Sequence, residues 1–121
     1  MSRHLAEQIS TIPERFDAEN KSTALLLKEA GFPQRRNDLS VEEIEDVFRQ
    51  SPELTDKWLD RGSEQRLAGG WGIEHEDGAY RIQSFADGQS EIERDRFRAC
   101  ALFVVRYVQF IGDVQVRRFS R

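Results

Sequence analysis

The chain has 121 residues, enough for one domain, and apolar types make up 38% of it, enough for a compact core. Eighteen basic residues stand against 22 acidic ones, a net charge of −4 that argues against broad nucleic-acid binding. Eight Phe, two Trp and two Tyr argue against intrinsic disorder.

Leu5, Ile9, Ile12 and Phe16 recur at helical spacing and predict one apolar stripe, which Pro13 should end or kink. A second helix is expected from Thr23 to Ala30, with Gly31 as its terminator and residues 32–37 as a loop. Ser40-Val41-Glu42-Glu43 has the form of a capping box, in which hydroxyl and carboxylate satisfy each other's free backbone donors. It opens a helix with Val41, Ile44, Val47 and Phe48 on one side. Ser51-Pro52-Glu53 restarts the chain as cap, first-turn proline and first-turn acid, and Gly62 should close that helix. Leu54, Trp58 and Leu59 form its apolar side.

The period then changes from helical to alternating. Trp71, Ile73 and His75 alternate with Gly72, Glu74 and Glu76, Asp77-Gly78 is a turn signal, and Tyr80 and Ile82 alternate with Arg81 and Gln83. A β-hairpin is therefore predicted at 70–85, ended by Asp87-Gly88, with Trp71 in the core beside Ile73. Ser90-Glu91-Ile92-Glu93 reads as another capping box and predicts the longest helix over 91–111. Phe97, Cys100, Ala101, Val104, Val108 and Ile111 would be its buried stripe. Gly112 should stop it, Val114–Val116 could add a short strand, and a basic tail follows. The expected fold is one α+β domain over 1–121: N-terminal helices, a small antiparallel sheet around the hairpin, and a long buried C-terminal helix.

Candidate chemical sites are sparse. One cysteine excludes an internal disulfide, and two histidines at 4 and 75 match no metal-ligand spacing. Cys100 with His75 would be a nucleophile pair only if exposed, and its apolar neighbours place Cys100 in the core. Gly69, Gly70 and Gly72 lack the spacing of a phosphate loop. No cofactor is implied. The longest apolar run, Ala99–Val105, is far short of the ~20 residues of a membrane helix. The charged N-terminus does not resemble a signal peptide, and no lipidation motif is visible. A cytoplasmic protein that avoids membranes is expected.

The charge distribution is more informative. Residues 37–64 carry a net −6 and residues 71–95 a net −5, while Arg117, Arg118 and Arg121 leave the tail basic. An acidic surface suits capture of a basic protein, because complementary potentials speed encounter and fix register. Glu42, Glu45, Asp46, Asp60, Glu64, Glu74, Glu76 and Asp77 are the candidate partner-binding residues. The alternative reading of the same acids is a solvated face that keeps the chain soluble.

Asp60-Arg61 and Gln65-Arg66 lead into Gly70-Trp71-Gly72-Ile73, then Tyr80-Arg81-Ile82, then Ala99-Cys100-Ala101-Leu102-Phe103-Val104. This pattern over 60–111 resembles small cytoplasmic immunity proteins of bacterial polymorphic toxin systems. The resemblance implies an α+β fold, no enzymatic activity, and one toxin domain bound and blocked as the partner; the acidic charge distribution adds the expectation that the toxin's surface is basic. Two other readings stay open: an acidic phage-type inhibitor of a nucleic-acid-handling defence complex, and a small enzyme with a carboxylate-lined cleft.

Overall fold

A computed structural model of the chain describes residues 3–19, 23–31, 38–63, 70–85 and 88–119. Five helices precede a hairpin-based sheet among these residues: α1 (Arg3–Ser10), α2 (Ile12–Glu19), α3 (Thr23–Glu29), α4 (Val41–Gln50) and α5 (Glu53–Ser63). The strands β1 (Trp71–Glu76), β2 (Ala79–Ser84) and β3 (Ser90–Glu93) follow, and α6 (Arg96–Phe119) is the last described element. The fold is α+β.

Pro13 divides the first stripe as its chemistry requires. It sits in the first turn of α2, where a missing N–H costs little. The Thr11 hydroxyl donates to the carbonyls of Glu7 and Gln8 and closes α1. Leu5, Ile9 and Ile12 are buried, but Phe16, beyond the break, is exposed, so the single stripe over 5–16 does not hold. Gly31 ends the third helix with φ 86°; the loop expected at 32–37 lies outside the described residues. The Ser40 hydroxyl caps α4 by accepting from the Glu43 N–H at 3.2 Å. Ile44, Val47 and Phe48 are buried, as their spacing predicts. Gly62 lies inside α5, which runs one residue further than expected.

The hairpin register pairs Ile73 with Ile82 and His75 with Tyr80 across β1 and β2, with Asp77 and Gly78 both at positive φ in the turn. That turn geometry matches the strand twist and is open to Asp and Gly at small cost. Asp87 is outside the described residues. Ile73, Tyr80, Ile82 and Ser84 are buried on one face of the sheet, against which α6 packs.

The sequence expectation fails at 90–93. Ser90–Glu93 is not a cap but the third strand, antiparallel to β2 with Ile82 opposite Glu91. The cap that starts α6 is Asp95, whose Oδ1 accepts from the N–H groups of Phe97 at 2.9 Å and Arg98 at 3.3 Å. Both serine and aspartate can cap, so local chemistry offered two starts and the free edge of β2 selected the later one. α6 also continues through Gly112 to Phe119, so Val114–Val116 is helix rather than strand. One interior glycine costs only about 1 kcal/mol, too little by itself to end a helix.

Cys100, Ala101, Phe103, Val104, Tyr107 and Val108 are buried along α6, which touches α3, α4, α5 and all three strands. A helix apolar almost all round needs partners on several sides, and here it has them. Trp58 of α5 fills the space between, with Nε1 donating to the Ser10 carbonyl at 2.9 Å. Its ring meets Phe103 and Tyr107 edge-on at 6.2 and 6.0 Å.

Candidate functional site

The acids fall into two groups with different surroundings. Glu45 on α4 is mostly buried and pairs with Arg49 at 2.8 Å and Arg98 at 3.5 Å. Arg49 also reaches Asp95 at 2.6 Å, and Arg98 reaches Glu93 at 3.6 Å. Arg96 bridges to α5 through Asp56 and through the Thr55 hydroxyl at 2.8 Å. This lattice fastens the start of α6 to α4, α5 and β3. Its ionisation follows: hydrogen bonding from Arg49 and from the Arg98 and Phe97 amides holds the Asp95 carboxyl below its ordinary range. Glu45 is therefore part of the frame as well as of the acidic surface.

The other candidates lie outward. Glu42, Asp46 and Asp60 are exposed, and Glu42 has no ion pair among the described residues. At the hairpin, Glu76 is exposed and pairs loosely with Arg81 at 3.4 Å. Asp77 is exposed and Glu74 half-buried, and neither has an ion pair among the described residues. Glu64 lies outside the described residues. The hairpin acids thus come together within one turn, whereas Glu42 and Asp46 belong to a separate helical surface.

Trp71 is half-buried rather than a core plug: it packs against the core from the rim. It lines an open groove of about 280 Å³ with Gln89, Ser90, Glu91 and Arg106. The Arg106 guanidinium lies 5.8 Å from the Trp71 ring centroid and 3.6 Å from Glu91. Gly70 before it has φ +94°, a conformation that favours glycine, and a Cβ there would stand 3.1 Å from the Phe110 ring, which would have to shift slightly. Alternation with Ile73 correctly places Trp71 on the α6 side of β1. It carries no information on how far α6 covers the end of the strand.

Cys100 is fully buried, and burial pushes its thiol up to about 12. A thiol held protonated is a poor nucleophile. His75 is exposed near the hairpin turn, where its ring stacks on Tyr80 at 4.5 Å, while Cys100 is buried within α6. Among the described residues, no group of three His, Cys, Asp or Glu side chains could hold a metal ion. No helix among them is long and apolar enough to cross a membrane.

Fold and surface together define a small α+β domain in which Arg49, Arg96 and Arg98 pair with carboxylates around the start of α6, while the hairpin acids Glu74 and Asp77 have no ion pair among the described residues. Compared with known proteins, the chain matches no family model, no curated protein and no solved structure.

Proposed function

We propose that this chain is a non-catalytic binding protein that neutralises a bacterial toxin domain by covering a basic surface on it, as an immunity protein does. The observation that carries the reading is the division of the acids. Glu45, Asp56 and Asp95 are matched by arginines, while Glu42, Glu74 and Asp77 remain without such partners among the described residues. Unmatched surface carboxylates steer a basic partner into contact and disfavour an acidic one. The resemblance over 60–111 supports the same reading, since its hairpin and long helix pack on each other.

The test requires a partner, to be sought by co-purification with any toxin encoded next to this gene. Glu42→Lys with Asp46→Lys, and separately Glu74→Lys with Asp77→Asn, should slow association about tenfold at low salt and change dissociation little. At 0.15 M salt the screening length is about 8 Å and the difference should shrink. Wild-type association rates for both pairs of substitutions would leave the acids with a solubilising role only.

A further inference from the structure

The two edges of the sheet differ. α5 packs beside β1, whereas β3 makes extensive contact only with β2 and α6 among the described elements. The register determines what the β3 edge presents. The Ser84 N–H donates to the Gln89 carbonyl at 2.8 Å, and Ile82 and Tyr80 lie opposite Glu91 and Glu93 on the same ladder. Backbone groups point to alternate sides along a strand, so Gln89, Glu91 and Glu93 direct theirs to β2. Ser90 and Ile92 direct theirs outward. The Ile92 side chain is 62% exposed, the largest exposure of any big apolar residue described. On the other face of β3, Glu91 reaches Arg106 and Glu93 reaches Arg98 at 3.6 Å, longer than a charge-assisted hydrogen bond, and one Glu93 oxygen also accepts from the Arg94 and Asp95 amides at 3.1 and 3.2 Å.

We propose that the β3 edge accepts an extended segment of a basic partner as a fourth strand, with apolar residues beside Ile92 and lysine or arginine beside Glu91 and Glu93. This rests on the binding reading above and specifies how the partner is held. The outward backbone groups of Ser90 and Ile92 supply main-chain hydrogen bonds, and the alternation along β3 supplies selectivity. A second copy of this chain fits poorly. Antiparallel pairing of two β3 strands about Ile92 sets carboxylate against carboxylate, and like charges directly opposite are destabilising. Acids of this kind guard an edge against self-association. A basic strand turns the same charges into attraction.

The probe is a short blocked peptide of alternating lysine and valine, titrated into the isotope-labelled full chain at low salt. The same residues in block order serve as the control peptide. The alternating peptide should shift the amides of Ser90–Glu93, slow exchange of the Ile92 N–H and bind more tightly than the control. Glu91→Gln with Glu93→Gln should weaken it about three- to tenfold, and Ile92→Thr, which keeps strand propensity, should weaken it independently. Equal binding of both peptides, with shifts confined to α4 and the hairpin turn, overturns the edge proposal and leaves the acidic-surface reading standing. Binding by neither peptide overturns both. A wild-type dimer joined through β3 in solution also overturns the proposal, since a second copy is then the occupant.

Discussion

The two tryptophans mark two regions built on different principles. Trp58 is fully buried, hydrogen-bonded to a carbonyl of α1 and enclosed edge-on by two aromatic rings of α6. Trp71 sits at the rim of the sheet with an arginine near its face and an open groove beside it. Around Trp58 every surface is answered by another element of the chain. Around Trp71 and the adjoining strand edge, an aromatic ring, backbone groups and carboxylates are only partly answered. The first region secures the fold, and the second is where the proposed partner would bind.

The sharpest test of that contrast is a matched pair of substitutions. Trp58→Ala should cost about 3–5 kcal/mol, which threatens folding of so small a domain. Trp71→Ala should cost about 1–2 kcal/mol because much of the ring is already at the surface. Denaturant midpoints compare the two directly, and an equal loss would erase the distinction.

The cap of α6 comes next. Asp95→Ala should cost about 1 kcal/mol by freeing two amide donors. Asp95→Asn retains a capping oxygen but loses the charge facing Arg49, so it should fall between the two. The folded carboxyl is depressed relative to the unfolded one, so its contribution is present above about pH 4 and lost as pH falls through the lower folded value. An acid titration of Asp95→Asn should therefore show less loss over that window than wild type.

A smaller contrast separates the framework acids from the outward ones. Glu45→Gln removes ion pairs to Arg49 and Arg98 and should cost about 1 kcal/mol, while Glu42→Gln should leave the melting temperature almost unchanged. Similar melting temperatures for both variants would mean that the lattice contributes nothing measurable. The mildest outcome concerns Cys100. A thiol pushed up to about 12 by burial should resist alkylation in the native chain at neutral pH and react once the chain is unfolded. Rapid native labelling would show that the centre of α6 opens.

How legible these features were depended on the range of the interactions that create them. The Ser40 cap, the Pro13 break and the Asp77-Gly78 turn are local, and the sequence pattern located each. β3 was missed because Ser90 and Glu93 satisfy a capping pattern three residues apart, and only pairing with β2 makes them a strand. Alternation of Glu91, Ile92 and Glu93, followed by a second capping residue at Asp95, was the available signal. The acids were likewise visible as a set, but their division into paired and unpaired members was not. Glu45 and Arg98 are 53 residues apart, and nothing in the spacing of either announces the other.

The sequence by itself determined the α+β class, the hairpin and its turn, the apolar stripes of α4 and α6, and the burial of Cys100. These follow from periodicity and from caps and turns that act within a few residues. Only the tertiary structure decided that Trp58 rather than Trp71 is the core tryptophan, that α6 begins at Arg96, and that β3 is an edge strand of the described sheet. Each of those depends on which surfaces meet after the chain has folded: β2 had a free ladder to fill, α6 reached far enough to enclose one indole, and the other was left at its edge.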